Sequence, residues 1–361
     1  MILLATLVKQ MCERQVKPMA LLMLRNTPIY DIAKGTILNK VFCPFPTDVK
    51  DPRKAYETWR DRRAYLKTNR AAEQVIQQLG GFHTRQAKRR LSLTDGYWIK
   101  YSYDDDTTFE SITPYLNYFY EAQAVRGTVP SSVPELVIGG SQPKVWARGK
   151  DDTTFMRKVL LPEQVQAEML AVKLIRKCSA KVMNAFVITD KGRLYAEDFS
   201  AMPNSQIGLI NIVNMTNTER SMIPFDQIGI GVNGYDPVNV ADCYTRAGVD
   251  ESAKDIALVQ VLFDAVTGNV DRRHNNSNWA VFMDNNTGKR TPSWSYDFNW
   301  SILAAEMHEI VDAVASCIVK AGIELTQQAV TDTTLIRDTC KELGLKTWYG
   351  NARRLLNHLE R

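Results

Sequence analysis

The sequence of 361 residues has few cysteines and few histidines, and neither residue type recurs at a metal-binding spacing. No two of the six cysteines lie within four residues of each other, and the four histidines form no HExxH pattern. The CxxC spacing of zinc and redox sites is therefore absent, and the cysteines are too sparse for a disulfide scaffold. We expect reduced thiols in partly buried positions, and these absences argue against a zinc enzyme.

Long apolar runs are also missing, and no run reaches the roughly 18 residues that a membrane span needs. The apolar start, residues 1–8, is short, and the basic residues follow it, which is the wrong order for a secretory signal. Hydrophobic residues make up 45% of the chain and charged residues 24%, which excludes a fibrous or fully disordered protein. We therefore expect a globular cytoplasmic protein.

Positive charge is concentrated in the first hundred residues. This part has 19 Lys and Arg against 8 Asp and Glu, whereas the remainder has 26 against 32. A basic region of this kind can contact an anionic partner such as nucleic acid, although solvated basic helix faces produce the same pattern. Trp59 and Trp98 fall in helical and strand patterns, so we expect them in the core rather than on a binding surface.

Turn and helix signals divide the chain into a mixed region, a strand-rich region and a helical region. Pro52, at a first helical position, begins a helix predicted to reach about Leu79. Residues 203–235 are predicted to be a connection rich in Pro, Asn and Gly. The other predicted elements are strands at 20–24, 28–32, 144–147, 154–161, 182–189, 193–199, 279–283 and 291–296, and helices at 82–90, 162–178, 253–267 and within 302–360. This order predicts two unlike lobes with a cleft between them.

The strongest constellation of polar residues runs from Asp271 to Asn276 and is followed, after a predicted hairpin, by Asp297. Phosphoryl transfer from ATP needs a carboxylate near the acceptor hydroxyl and oxygen ligands that hold Mg²⁺ on the phosphates. An Asp with an Asn five residues later supplies both from one loop, and a second Asp supplies another ligand. Protein kinases use this arrangement.

Two further residues fit a nucleotide site. Lys158 is predicted on a strand face that it shares with Met156, and a lysine among apolar residues needs an anion. Glu168 is predicted on the buried stripe of the next helix, in line with Val165 and Val172. A strand lysine paired with a helix glutamate is the device that kinases use to hold ATP phosphates.

A glycine-containing loop precedes the predicted strand at 144–147. Gly139, Gly140, Ser141, Gln142 and Lys144 belong to it, and its glycines allow backbone N–H groups to approach an anion. The loop lacks a full GxGxxG, so the signal is weak by itself.

These segments together resemble the HipA-like serine/threonine protein kinase family. The run Gly140–Lys144 resembles the family's G-x-Q-P-K loop, and Asp271–Asn276 and Tyr296-Asp297 resemble its catalytic and metal-binding segments. Glu197-Asp198-Phe199 resembles the hinge whose backbone holds adenine. The resemblance implies an α+β, bilobal, protein-kinase-like fold with a β-rich N-lobe and a mostly α-helical C-lobe. The implied division is a basic N-terminal region at 1–125, the N-lobe at 126–200 and the C-lobe at 201–361.

The resemblance also implies cofactors, residue roles and partners. ATP and Mg²⁺ would be the cofactors, and the acceptor would be a Ser or Thr of a protein. By this resemblance, Asp271 would be the general base, and Asn276 and Asp297 would bind Mg²⁺. Lys158, positioned by Glu168, would contact the ATP phosphates, and a loop would cover them with the residues Gly139, Gly140, Ser141, Gln142 and Lys144. Glu197 and Phe199 would contact adenine. Members of the family act in toxin-like growth control or phage-related defence, some with a small antitoxin partner.

Two other functions stay open at this point. An ATP-binding pseudokinase would keep the nucleotide site without turnover, and the sequence departs from the family at Arg273, where the motif histidine falls one place later. A nucleic-acid-binding regulatory protein would use the basic N-terminal region and would bind with a steep salt dependence.

Overall fold

The computed structural model of the protein describes residues 20–63, 95–102, 106–112, 144–148, 154–159, 162–178, 187–188, 206–209, 220–250, 253–293, 295, 297–298, 301 and 307–360. In this part of the chain, no helix is both long enough and apolar enough to span a membrane.

The described chain contains eleven strands and nine α-helices, arranged in three antiparallel sheets and a group of C-terminal helices. The strands are β1 Ala20–Leu24, β2 Thr27–Asp31, β3 Thr36–Ile37, β4 Tyr97–Tyr101, β5 Lys144–Arg148, β6 Thr154–Val159, β7 Val187–Ile188, β8 Gln206–Leu209, β9 Arg220–Pro224, β10 Ala280–Asp284 and β11 Arg290–Pro292. The helices are α1 Pro52–Arg63, α2 Phe109–Ile112, α3 Pro162–Cys178, α4 Pro237–Arg246, α5 Ala253–Thr267, α6 Asp271–His274, α7 His308–Ala321, α8 Ile323–Glu342 and α9 Lys346–Leu359.

The N-terminal sheet has the strand order β3-β2-β1-β4 and confirms the first predicted hairpin. Its turn contains Arg25, whose φ of 51° is left-handed, and β2 begins at Thr27, one residue earlier than predicted. Helix α1 begins at Pro52 as predicted, because a proline at the first position loses no helical hydrogen bond. The predicted continuation to Leu79 and the helix at 82–90 lie outside the described residues.

Aromatic rings form the core under this sheet. Tyr30 stacks on Tyr56 at a centroid distance of 4.9 Å and meets Phe45 edge to face at 5.4 Å. Trp59 meets Tyr97 edge to face at 5.6 Å. Both tryptophans of the basic region, Trp59 and Trp98, are buried as expected, so neither ring is exposed for stacking on a base.

The second sheet has the order β5-β6-β8-β7, with β5 and β6 forming the predicted hairpin. Helix α3 follows it with the predicted bounds and packs against α8 and β7. Strand β8 lies inside residues 203–235, where only a connection was predicted, and that prediction was wrong there. The strand is four residues long, and its pairing with β6 and β7 is not visible in the local sequence.

The third sheet has the order β11-β10-β9. It confirms the late predicted hairpin, whose turn is closed by Asp284: the Oδ1 atom accepts bonds of 2.9 Å from Asn286 N and 2.8 Å from Thr287 N. Strand β9 again falls within the predicted connection at 203–235 and is a second correction there. Phe282 and Met283 are neighbours on β10 and therefore point to opposite faces of the sheet, and both are buried, so the sheet is covered on both faces there.

The C-terminal helices surround α5, which is buried along almost its whole length. A helix that is apolar on every side must be enclosed, and α5 contacts α4, α7, α8 and α9. This central helix ends at Thr267, Gly268 follows it with a φ of 65°, and the chain then enters the segment that carries Asp271.

Arg290 on β11 joins the N-terminal part of the chain to the helical part. Its Nη2 atom donates a 2.8 Å bond to the carbonyl of Cys43, and its Nη1 atom donates a 2.8 Å bond to the carbonyl of Ala247. Tyr97 connects the N-terminal sheet to the third sheet, because its hydroxyl lies 3.7 Å from Sδ of Met283 on β10. The N-terminal sheet and the helices therefore share one core.

Candidate active site

Asp271 is held at the start of a short helix between α5 and β10. Its backbone carbonyl accepts a 3.0 Å bond from Asn275 N, which closes the turn of α6. Its carboxylate accepts a 2.7 Å bond at Oδ2 from the side-chain amide of Asn278. The carboxylate is half-buried and fixed in direction by this amide. Sequence reasoning did not select Asn278, although a second asparagine two residues after Asn276 was a usable signal.

Asn276 begins the 3₁₀ turn Asn276–Asn278 that follows α6. Its side-chain oxygen accepts a 3.0 Å bond from the backbone N–H of Val232. An amide oxygen has two lone pairs, so this bond leaves capacity for a second partner such as a cation. The bond also ties the predicted catalytic segment to the loop that precedes α4.

Asp297 has a left-handed backbone, with a φ of 64°. Among the described residues, only Arg25 shares this conformation without being a glycine. A non-glycine residue in this region costs about 1–3 kcal/mol, and such strain is concentrated at functional sites. The carbonyl of Asp297 accepts a bond of 3.5 Å from the side chain of Asn269, and Phe298 beside it is fully buried.

Arg272 points away from the surface, although it follows Asp271 directly. Its Nε atom lies 2.8 Å from Oδ2 of Asp264 on α5, and the two side chains are 1% and 4% exposed. Its Nη1 atom donates a 2.8 Å bond to the carbonyl of Asn278. Burial raises the pKa of Asp264 to about 6, and the guanidinium of Arg272 acts in the opposite direction. Neither residue was selected from the sequence, although an aspartate inside the apolar run of α5 was a signal.

The side chain of Arg273 is exposed, unlike that of Arg272. Its guanidinium carbon lies 4.2 Å from the centroid of the Tyr235 ring, a cation–π geometry. Gly234 lies against the same segment, and a Cβ there would be 3.0 Å from the Cα of Arg273. The positive charge of Arg273 is thus fixed two positions from Asp271.

The structure describes only some of the residues that were predicted to bind a nucleotide. Lys144 and Lys158 are directly opposite each other in the β5–β6 pair, and their side chains lie outside the description. Glu168 is 1% exposed on α3, which confirms its place on the buried stripe. The contact between Lys158 and Glu168 stays a prediction.

The remaining predicted site residues lie outside the described residues. They are Gly139, Gly140, Ser141, Gln142, Glu197 and Phe199.

The oxygen donors of Asn276 and Asp297 are of a type that suits magnesium better than a transition metal. No group of three or more His, Cys, Asp or Glu side chains in the described ranges is placed to hold a metal ion. Mg²⁺ does not require such a group, because it usually takes one or two protein carboxylates and completes its shell with water and phosphate. The carboxylate of Asp297 and the amide oxygen of Asn276 are donors of this type.

Comparison with known proteins gives a structural likeness without a sequence match. No protein-family model and no curated protein matches the sequence. The chain is similar to HipA of Shewanella oneidensis MR-1, a toxin–antitoxin protein solved with HipB and operator DNA, with a TM-score of 0.51 and 15% identity over 95% of this chain and 97% of that chain. The chain is also similar to the Helicobacter pylori proinflammatory kinase CtkA, with a TM-score of 0.38 and 12% identity. This similarity covers 60% of this chain and 88% of that chain. The chain therefore has a mixed α and β fold similar to that of HipA.

Proposed function

We propose that this protein is a HipA-like kinase that transfers the γ-phosphate of ATP to a Ser or Thr of a protein acceptor. The observation that carries the proposal is the fixed carboxylate of Asp271, which Asn278 orients through a 2.7 Å bond. Asn276 lies in the same turn, and the hairpin β10–β11 leads from there to Asp297 with its strained backbone. These three residues have the types and order that phosphoryl transfer requires.

Asp271 acts as the general base in this proposal. A kinase must align an acceptor hydroxyl with the phosphate, and a carboxylate that receives the hydroxyl proton contributes to both alignment and charge. The amide of Asn278 is a neutral donor, so it orients Oδ2 without placing a second charge on that oxygen. The exposed guanidinium of Arg273 adds positive charge near the acceptor side.

Magnesium would be held by Asn276 and Asp297. Bound Mg²⁺ supplies positive charge to the phosphate oxygens during transfer. The bond from Val232 N holds the Asn276 oxygen in place, and the backbone of Asp297 is left-handed. Both residues are half-buried rather than enclosed, which leaves room for phosphate and water.

The nucleotide would lie between these residues and the second sheet. Lys158, positioned by Glu168, would contact the phosphates, and the loop with Gly139, Gly140, Ser141, Gln142 and Lys144 would cover them. Glu197 and Phe199 would contact adenine. The buried position of Glu168 supports this assignment, because a buried carboxylate needs a cation or donor close to it.

A macromolecular partner is part of the proposal. The HipA to which this chain is similar was solved with HipB and operator DNA. The excess of Lys and Arg in the first hundred residues of the N-terminal region would attract nucleic acid or a small antitoxin-like protein with acidic residues. A role in toxin-like growth control or phage-related defence is consistent with these partners.

The experiment that tests the function is a transfer assay with radiolabelled ATP and Mg²⁺ in a cell lysate, followed by mass spectrometry of phosphorylated peptides. We expect new phosphate on Ser or Thr in samples with the wild-type protein. Asp271→Asn serves as the inactive control, and Asp255→Asn, an exposed change on α5, serves as the active control.

Three results would overturn or redirect the proposal. Equal labelling by wild type and Asp271→Asn would remove Asp271 from the reaction. Calorimetric ATP binding without transfer would identify a pseudokinase. A lack of ATP binding, together with DNA binding that falls steeply with salt, would identify a nucleic-acid-binding protein.

A further inference from the structure

Asp264 and Arg272 form an ion pair that is almost completely removed from water. Their Oδ2 and Nε atoms are 2.8 Å apart, and the side chains are 4% and 1% exposed. Removal of two charges from water is costly, and an apolar pair of similar volume is often as stable or more stable. The pair is therefore poorly explained by stability alone, and its other contacts bear on what it does.

The arginine reaches Asp271 through a single intermediate residue. Nη1 of Arg272 donates a 2.8 Å bond to the carbonyl of Asn278, and the side chain of Asn278 donates the 2.7 Å bond to Asp271. Trp279 holds the arginine from the other side, because its Nε1 atom donates a 2.8 Å bond to the Arg272 carbonyl. The guanidinium also lies 5.4 Å from the Trp279 ring centroid. The position of Arg272 thus determines the position of the amide that orients Asp271.

Asp264 is connected to the segment of Asp297 through the side chain of Asn269. The side-chain amide of Asn269 lies 3.4 Å from Oδ1 of Asp264 and 3.5 Å from the carbonyl of Asp297. The guanidinium of Arg272 lies 5.0 Å from the ring centroid of Phe298, the residue after Asp297. The same ion pair therefore contacts both the segment of Asp271 and the segment of Asp297.

We infer that Asp264 and Arg272 are positioning residues that fix the Asp271 and Asp297 segments relative to each other from the central helix. The inference deepens the proposed function and rests on it for its catalytic consequence. Both side chains are buried, so neither is placed to touch a reactant. The pair acts through Asn278 on the direction of one carboxylate, and through Asn269 and Phe298 on the backbone of the other.

The test uses a double variant, Asp264→Leu with Arg272→Met, because removal of one partner alone would leave an uncompensated buried charge. The matched control is Asp312→Asn with Arg354→Gln, which removes a half-exposed ion pair between α7 and α9. A second site variant, Arg272→Lys, keeps the charge but lacks the forked donors that reach Asp264 and Asn278 together.

The first measurement is hydrogen–deuterium exchange, which does not depend on activity. We expect peptides that contain Asn275 or Asp297 to exchange faster in the double variant than in wild type. Peptides from α9 should exchange at the same rate in both proteins. The control pair should leave both site peptides unchanged. Unchanged exchange at both site peptides, or a uniform increase over the whole chain, would overturn the positioning role.

The second measurement is steady-state kinetics of the same variants. A displaced carboxylate should lower kcat by about 10- to 100-fold with little change in KM for ATP. Arg272→Lys should show the same direction with a smaller loss, and a wild-type kcat in either variant would overturn the inference. If the wild-type protein transfers no phosphate, the proposed function fails, and the exchange measurement still decides whether the pair positions the two segments.

Discussion

The side-chain amide of Asn278 donates a 2.7 Å hydrogen bond to Oδ2 of Asp271, seven residues earlier in the chain. A carboxylate with one oxygen fixed cannot rotate freely, and an ionised carboxylate only accepts hydrogen bonds. The bond engages Oδ2, so we expect the proton of an acceptor hydroxyl to go to Oδ1. Asn278 is itself 4% exposed and held through its carbonyl by Arg272.

Asp271→Asn should abolish phosphoryl transfer and leave ATP binding largely intact. The variant loses the proton acceptor but keeps Lys158, Asn276 and Asp297. Positioned general bases contribute about 10²- to 10⁴-fold, so kcat should fall by a factor in that range. A turnover close to that of wild type, with ATP affinity measured in parallel by calorimetry, would contradict the assignment.

Asp297→Ala should weaken both Mg-ATP binding and turnover, because it removes a charged oxygen ligand. The effect should depend on the metal, so affinity for ATP measured in excess chelator should change little. The change also places alanine at a φ of 64°, and Asp297→Gly controls for this strain because glycine adopts such angles easily. If Mg-ATP affinity is the same in wild type and both variants, Asp297 does not bind the metal.

Lys158 and Glu168 should behave as a coupled pair. Lys158→Met leaves the buried carboxylate of Glu168 without its expected cation, and Glu168→Gln leaves the lysine without its expected anion. Close partners usually show a coupling free energy of about 0.5–3 kcal/mol. A double-mutant cycle on ATP affinity measures this coupling, and strict additivity would show that the two residues do not meet.

Asp312 should contribute to stability only above acidic pH. Bidentate hydrogen bonds from Arg354, at 2.8 and 2.7 Å, hold the pKa of Asp312 below its usual value, and His358 adds to the effect. A carboxyl whose pKa is depressed on folding stabilises the protein above its unfolded pKa, and this contribution is lost as pH falls through the folded pKa. Because the pair is more than a third exposed, solvent screening limits it to about 1 kcal/mol or less.

Urea denaturation of wild type and Asp312→Asn tests this expectation. The variant should have a lower free energy of unfolding at pH 7, and the difference should shrink as pH falls below about 4. Asp338→Asn is the matched control, since its exposed carboxylate pairs with the adjacent Arg337 on α8. A difference that stays constant from pH 7 to pH 3 would exclude a titration of Asp312 as its source.

Local signals predicted much of the fold because they act over a few residues. Pro52 and Pro162 fixed the starts of α1 and α3, and the turn at 285–288 fixed the hairpin β10–β11. Strands β8 and β9 were missed because they are short and are defined by partners elsewhere in the chain. Their pairing is a property of the folded molecule rather than of the segment.

The part of the candidate site that could be predicted from the sequence is the motif that runs from Asp271 to Asn276 and is followed by Asp297. Asp271, Asn276 and Asp297 were selected because their spacing has a physical reason, and their catalytic and metal-binding roles stay predictions. Asn278 and Asp264 were not selected, because their roles depend on which groups the fold places beside them. Asp264 in particular lies in an apolar helical run, where its partner is eight residues away and on another element.

The bond from Arg290 to the carbonyl of Cys43 spans 247 residues, and this separation has a consequence for synthesis. A ribosome adds about 5–20 residues per second, so roughly 12 to 50 seconds pass between the two ends of the bond. During that interval the N-terminal sheet exists without the residues that complete its core, including Met283 beneath Tyr97. The first strands are therefore open to proteases and to wrong pairing until the hairpin β10–β11 emerges.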